Sequence, residues 1–162
     1  MAYQLKGQNA TSRHSAQGAD VTQSQNLLTA KWNSPVLFGL VALGGAIGSL
    51  LRYAVFQAFP TNYSFLGTLT VNVIGAFVLA FLLETLAKRF TETPRTQQIR
   101  TLIGTGICGG FTTYSTFMLD LRFLFVMSLF SARFFAMAIA YLAGTFILGA
   151  LAVLLGIKLG AR

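Results

Sequence analysis

The chain has 162 residues, of which 54% are hydrophobic and 10% charged, and its formal net charge is +8. Soluble domains carry about 25% charged residues, so this composition argues against a water-soluble globule. One cysteine and one histidine exclude an intramolecular disulfide and leave almost no material for a zinc site or for Cys–His catalysis. The basic residues lie in a tail, in loops and at predicted helix ends, where they orient membrane helices and contact anionic lipid headgroups, so nucleic-acid binding is not expected.

Residues 1–33 form a polar tail that is rich in Gln, Ser, Thr and Asn and contains no apolar run of the kind found in signal peptides. Such a segment has too little apolar surface to offset its ordering entropy, so we expect it to be disordered. A transit peptide is the alternative, because the tail contains Ser and is poor in acids. We expect residues 34–162 to form one transmembrane domain.

Four uncharged stretches of the chain are long enough to cross a membrane; they cover residues 32–51, 53–83, 101–119 and 134–157. A bilayer core needs about 20 apolar residues per helix. We therefore predict an all-α membrane protein with four transmembrane helices. The expected spans are about 35–58, 65–87, 100–127 and 133–158.

The first predicted span carries Gly44 and Gly48, a small-xxx-small step that lets another helix approach closely in lipid. Arg52 follows one turn later. Its positive charge either anchors the helix at the membrane surface or attracts anions at the mouth of a vestibule.

The second predicted span contains two pairs of polar residues at a spacing of four, which places each pair on one helix face. Thr68 and Asn72 form the first pair, and Glu84 and Lys88 form the second. We interpret the second pair as a structural ion pair near the membrane surface.

The third predicted span has an unusual composition: residues 106–117 contain three glycines followed by four Ser or Thr residues. This is poor material for a continuous helix. Because lipid does not tolerate exposed irregular backbone, an interruption here must be buried in protein or line a wet cavity. The functional interpretation is a broken helix whose freed carbonyls hold a cation; the alternative is a tightly packed continuous helix.

The polar residues of these spans indicate a path for a small anion. They are uncharged and can donate hydrogen bonds, and we expect no acidic residue at the depth of any span's centre. Aromatic ring edges are further partners, because the ring quadrupole makes them positive; the alternative is that the rings only fill the core. The polar residues are Thr68, Asn72, Ser115, Thr116 and Thr145, and the aromatic pair is Tyr114 and Phe117.

Four motifs in this order carry a resemblance to a known family. They are Gly44-Gly45-x-x-Gly48 with Arg52, Gly67-Thr68-x-x-x-Asn72-x-x-Gly75, Gly106-x-x-Gly109-Gly110-x-Thr112-Thr113-Tyr114-Ser115-Thr116-Phe117, and Tyr141-x-x-x-Thr145. Over about residues 35–157 the sequence resembles the bacterial fluoride channels of the Fluc or CrcB family. The Gly-Gly-x-Thr-Thr-aromatic-Ser-Thr-Phe string is the specific part of this match.

The resemblance implies an antiparallel, dual-topology homodimer of four-helix subunits in the cell membrane, with two narrow fluoride pores. It implies passive efflux of fluoride from the cytoplasm, which lowers fluoride toxicity. A structural sodium ion that is not transported would lie at the dimer centre, held by the backbone carbonyls of Gly109 and Thr112.

The same resemblance implies a role for each residue that matches the family's pore. Asn72 corresponds to the pore asparagine, with Thr68 one turn before it, and Tyr114 and Phe117 correspond to the aromatics whose ring edges face fluoride. The remaining residues correspond to the polar track of the pore: Ser115, Thr116, Tyr141 and Thr145.

Three features depart from the family pattern or oppose it. Tyr114 stands where Phe is more common, and Thr145 stands where Ser is common. If both termini lie on one side of the membrane, nine basic residues lie on that side and three on the other, a bias that favours a single orientation.

Three other classes of protein are alternatives. A small four-helix multidrug antiporter has a similar size but needs an acidic residue inside the membrane. An assembly-only membrane protein would conduct no ion. An enzyme is least favoured, because no nucleophile and base lie together in the predicted spans.

Overall fold

The computed structural model describes residues 35–59, 64–91 and 93–162, with only the backbone at residue 64. The tail predicted at residues 1–33 lies outside the described residues. The chain divides into two units, Met1–Leu37 and Phe38–Arg162. Only Pro35–Leu37 of the first unit are described, and all contacts discussed below lie within the second.

The described residues are helical almost throughout. In chain order the elements are α1 (Pro35–Gln57), α2 (Ser64–Arg89), α3 (Pro94–Ile99), a π-helical segment (Arg100–Cys108), α4 (Gly109–Phe111), α5 (Tyr114–Ser128) and α6 (Ala132–Gly160). Among the described residues, three helices are long and apolar enough to cross a membrane: α1, α6 and the α2 residues Phe65–Arg89. Their bounds agree with three of the four predicted spans to within about two residues.

The region predicted as the third span, 100–127, is divided. Helix α4 ends at Phe111 and α5 begins at Tyr114, with two extended residues between them. Thr112 has φ −79° and ψ 160°, and Thr113 has φ −148° and ψ 121°. We call these two residues the interruption. Helix α5 begins here because the Thr113 hydroxyl caps it by accepting the Thr116 N–H.

Helix α2 packs most extensively against α6, and α5 packs against both. The buried core between α5 and α6 consists of Phe117, Leu121, Leu124, Ala138 and Tyr141. Near the end of α2, Lys88 Nζ lies 3.1 Å from Glu84 Oε1, which confirms the predicted ion pair.

Helix α1 approaches the π-helical segment through its glycines. A Cβ atom on Gly44 would lie 2.8 Å from the Cα of Gly106, and one on Gly48 would lie 2.8 Å from the backbone nitrogen of Phe111. Backbone atoms cannot move aside as a flexible side chain can. The small-xxx-small step therefore serves a close helix crossing, as expected for helices in lipid.

We predict that Gly48→Ala destabilises the protein by about 1–3 kcal/mol, because the added methyl group overpacks a backbone contact. In the matched variant Gly39→Ala the methyl group meets nothing within 4 Å, and higher helix propensity should stabilise it by up to about 1 kcal/mol. Thermal unfolding of the purified protein in detergent measures both effects. Equal unfolding temperatures for the two variants would contradict this packing.

Candidate functional site

The interruption is held by a side chain from another helix. Asn72 of α2 accepts a hydrogen bond from the Thr113 N–H through Oδ1 (2.8 Å) and donates one from Nδ2 to the Thr113 carbonyl (3.0 Å). Both backbone polar groups of Thr113 are therefore paired with one carboxamide. The Thr113 side chain is buried, so these groups depend on protein partners for hydrogen bonds.

These bonds release two carbonyl groups from the helical pattern. In a continuous α-helix the Thr113 N–H would bond the Gly109 carbonyl, and the Thr116 N–H would bond the Thr112 carbonyl. Here the first donor bonds Asn72 and the second bonds the Thr113 hydroxyl (3.2 Å). The carbonyls of Gly109 and Thr112 thus lose their helical donors and are open to other partners.

Arg52 of α1 contacts one of the two released carbonyls. Its Nη1 donates a hydrogen bond to the Thr112 carbonyl oxygen at 3.1 Å. A carbonyl oxygen has two lone pairs, so this bond leaves one acceptor position on Thr112. Arg52 was predicted as an anchor or as a vestibule charge, and the structure adds a direct contact with the interruption.

Two open cavities meet the interruption, each at a different residue. The first, of about 370 Å³, is lined by Arg52 together with the hydroxyl residues Ser49, Thr113, Ser115 and Thr116. A guanidinium group, several hydroxyl donors and the N-terminal end of α5 give this cavity a positive character that suits an anion.

The second cavity, of about 610 Å³, is lined by Asn72, Gly109 and Thr112, by Arg100, and by the thiol-bearing Cys108. Thr112 lines one cavity and Thr113 lines the other, and each cavity has one arginine in its wall.

Sequence analysis missed one residue of the site, Asp120. Its Oδ2 accepts a hydrogen bond from Thr68 Oγ1 at 2.7 Å and another from the Tyr141 hydroxyl at 3.2 Å. Asp120 lies beyond the centre of the predicted span 100–127, yet its carboxylate is hydrogen-bonded to two of the predicted pore residues. Its position inside the predicted span 100–127, three residues after Phe117, was a signal that could have revealed it.

The predicted aromatic pair occupies two different environments. Phe117 is 4% exposed and packs against Tyr141, with ring centroids 5.3 Å apart. Tyr114 is 73% exposed, although its ring centroid lies 6.3 Å from that of Phe117. The two rings are neighbours, as their spacing indicated, but within one chain only Phe117 belongs to the core.

The other predicted pore residues separate into two groups. Ser115 and Thr116 lie beside the interruption, where the Thr113 hydroxyl is 2.9 Å from Thr116 Oγ1 and 3.4 Å from Ser115 Oγ. Thr145 instead donates to the Tyr141 carbonyl of its own helix (2.7 Å). The structure does not join Thr145 to the polar residues around Asn72.

Long apolar helices around a polar interruption define a multi-pass membrane protein. Comparison with known proteins then gives the family. Residues 39–157 match the model described as CrcB-like protein, Camphor Resistance (CrcB). The chain belongs to this family of cell-membrane proteins.

The chain matches three relatives over most of their length. The fluoride-specific ion channel FluC 2 of Leifsonia xyli subsp. xyli (strain CTCB07) is 45% identical over 123 residues, which are 75% of this chain and 81% of that protein. FluC of Thermosipho melanesiensis is 39% identical over 127 residues (76% and 94%). FluC of Agrobacterium fabrum (strain C58) is 36% identical over 125 residues (75% and 93%).

We predict that Thr68→Val destabilises the protein by about 1–3 kcal/mol, because the half-buried Asp120 carboxylate loses a donor. The control is Thr70→Val on the same helix, where the hydroxyl bonds only the carbonyl of its own helix at Leu66 and a small effect is expected. In an Asp120→Asn background the cost of Thr68→Val should shrink. Unfolding free energies in detergent measure these differences, and equal costs at positions 68 and 70 would refute the cluster's contribution.

Proposed function

We propose that the protein is a fluoride-specific ion channel that lets fluoride leave the cytoplasm passively and so reduces its toxicity. The observation that carries this proposal is the interruption bound by Asn72, whose two residues each line a cavity, in a chain whose relatives are named as fluoride channels. Fluoride is small and strongly hydrated. It can enter a narrow path only where short hydrogen bonds replace its water.

Neutral donors around the interruption can supply these bonds. Asn72 uses one amide N–H for Thr113, and its second N–H remains a donor for an anion. The hydroxyls of Ser115 and Thr116 lie on the Arg52 side, where the guanidinium would attract fluoride into the vestibule. The ring edges of Tyr114 and Phe117 would face the ion along the path, with Thr68, Tyr141 and Thr145 as the further polar track.

A bound sodium ion fits the residues at the interruption. Unwound carbonyls and helix C-terminal ends are the groups that hold monovalent cations in discontinuous membrane helices. The Gly109 carbonyl has lost its helical donor, and apart from the neighbouring backbone of its own helix no atom lies within 4 Å of a Cβ atom placed on Gly109. The Gly109 and Thr112 carbonyls would hold the ion; Thr112 would share its oxygen with Arg52. Sodium there would tie the subunits together without being transported.

An antiparallel homodimer of four-span subunits would complete this site. In the proposed topology the π-helical segment, α4 and α5 together form the third of four crossings. Two exposed features at the interruption favour a second copy as the missing wall: the Tyr114 ring is 73% exposed, and the space above Gly109 is open. A second copy would bring its own carbonyls to the sodium and cover the aromatic ring.

The multidrug antiporter is the remaining alternative, since Asp120 supplies the acidic residue that sequence analysis did not expect. The names of the relatives favour the channel. The hydrogen bonds from Thr68 and Tyr141 also give Asp120 a structural role.

Fluoride efflux from liposomes tests the proposed function. Vesicles loaded with potassium fluoride and containing the purified protein should release fluoride on addition of valinomycin at equal pH inside and outside. A fluoride electrode follows the release, and chloride flux under the same conditions should be far slower. Equal chloride flux, or a need for a pH gradient, would refute the channel.

Phe117→Met removes the ring edge from the path while retaining much of its volume. We expect this change to slow fluoride efflux about tenfold, which corresponds to about 1.4 kcal/mol in the barrier. The control Phe123→Met alters an exposed ring on the same helix and should leave efflux near the wild-type rate. Equal rates for the two variants would argue against Phe117 in the path.

Antiparallel assembly predicts that each terminus appears on both sides of the membrane. We expect about half of the chains to react with a membrane-impermeant maleimide in intact cells, when the only cysteine is introduced by Ala161→Cys in a Cys108→Ser background. This pair of changes keeps every basic residue, which matters because Lys and Arg set orientation. Complete labelling or complete protection would show a single orientation.

A further inference from the structure

The Asn72 side chain forms the two hydrogen bonds that a backbone peptide group would form. Its carboxamide accepts from the N–H and donates to the C=O of one residue, Thr113. A hydrogen-bonded residue pair in antiparallel strands exchanges the same two bonds. We propose that Asn72 is a positioning residue that fixes the extended backbone of the interruption, in addition to any contact that it makes with a conducted ion.

Nearby hydroxyl groups are committed to other bonds. The Thr113 hydroxyl caps α5 by accepting the Thr116 N–H, and the Thr112 hydroxyl donates to the Cys108 carbonyl at 2.9 Å. Neither hydroxyl forms a hydrogen bond with the N–H or C=O group of Thr113. Asn72, 41 residues away in sequence, is the partner that the structure gives them.

The same face of α2 also contacts the other extended residue. Gly75 lies three residues after Asn72, and a Cβ atom placed on it would overlap the methyl group of Thr112. Helix α2 therefore holds the interruption at two points: by hydrogen bonds at Thr113 and by a close packing contact at Thr112. Loss of the hydrogen bonds should loosen the turn that leads into the interruption.

Cys108 reports on that turn. It is the only cysteine of the chain, its side chain is 4% exposed, and its carbonyl accepts both the N–H (3.0 Å) and the hydroxyl of Thr112. If the interruption opens more often, the thiol becomes accessible more often. This readout is independent of which ion the chain conducts, so it separates this proposal from the proposed function.

The test measures the rate at which N-ethylmaleimide labels Cys108 in the purified protein, followed by mass spectrometry. Asn72→Leu keeps similar volume but removes both hydrogen bonds, and we expect labelling to accelerate about tenfold or more. Asn72→Asp keeps the acceptor for the Thr113 N–H and loses the donor to the Thr113 carbonyl, so a smaller acceleration is expected. The control Thr70→Ala, two residues away on α2, should label at the wild-type rate.

Two results would overturn the proposal. One is wild-type labelling in both Asn72 variants, even if fluoride efflux is lost, because Asn72 would then act only on the ion. The other is equal acceleration in Thr70→Ala, which would indicate a general loosening of α2. If Asn72→Leu does not fold, the isosteric Asn72→Asp decides the question alone by the same criterion.

Discussion

The pairing between the Asn72 carboxamide and the peptide of Thr113 is the interaction on which the rest of the site depends. Inside a membrane every N–H and C=O group needs a partner from the protein or from a water-filled cavity. An unpaired buried peptide group costs several kcal/mol. Thr112 and Thr113 leave the helical pattern, and Asn72 supplies the two bonds that Thr113 would otherwise lack.

Several features of the site follow from this one constraint. Release of the Gly109 and Thr112 carbonyls creates acceptors that a helix would have used, and Arg52 already occupies one of them. Of the two extended residues, Thr112 lines one cavity and Thr113 lines the other. Asp120 of α5 joins α2 to α6 by accepting hydrogen bonds from the hydroxyls of Thr68 and Tyr141. Side chains of Arg52, Asn72 and Asp120 thus link neighbouring helices by hydrogen bonds.

The sequence predicts those features of the fold that one physical rule determines. It predicts less well the features that depend on residues distant in sequence. Bilayer thickness fixes span length, so the uncharged runs predicted α1, α2 and α6 closely. Glycines and hydroxyl residues predicted an interruption, but its position at Thr112 and Thr113 depends on Asn72, which local sequence does not reveal. Asp120 was overlooked because its charge was used only to define the end of the uncharged stretch 101–119. Thr145 lies four residues after Tyr141, the same spacing as Thr68 and Asn72. Its hydroxyl nevertheless bonds a carbonyl of its own helix, as threonines in membrane helices often do.

An experimental structure of the protein in lipid, with sodium and fluoride present, tests the central claim most directly. The account predicts extended backbone at Thr112 and Thr113, with both polar groups of Thr113 within about 3.2 Å of the Asn72 carboxamide, a normal hydrogen-bond distance. A continuous helix through residues 109–117, or an Asn72 side chain directed away from Thr113, would contradict it.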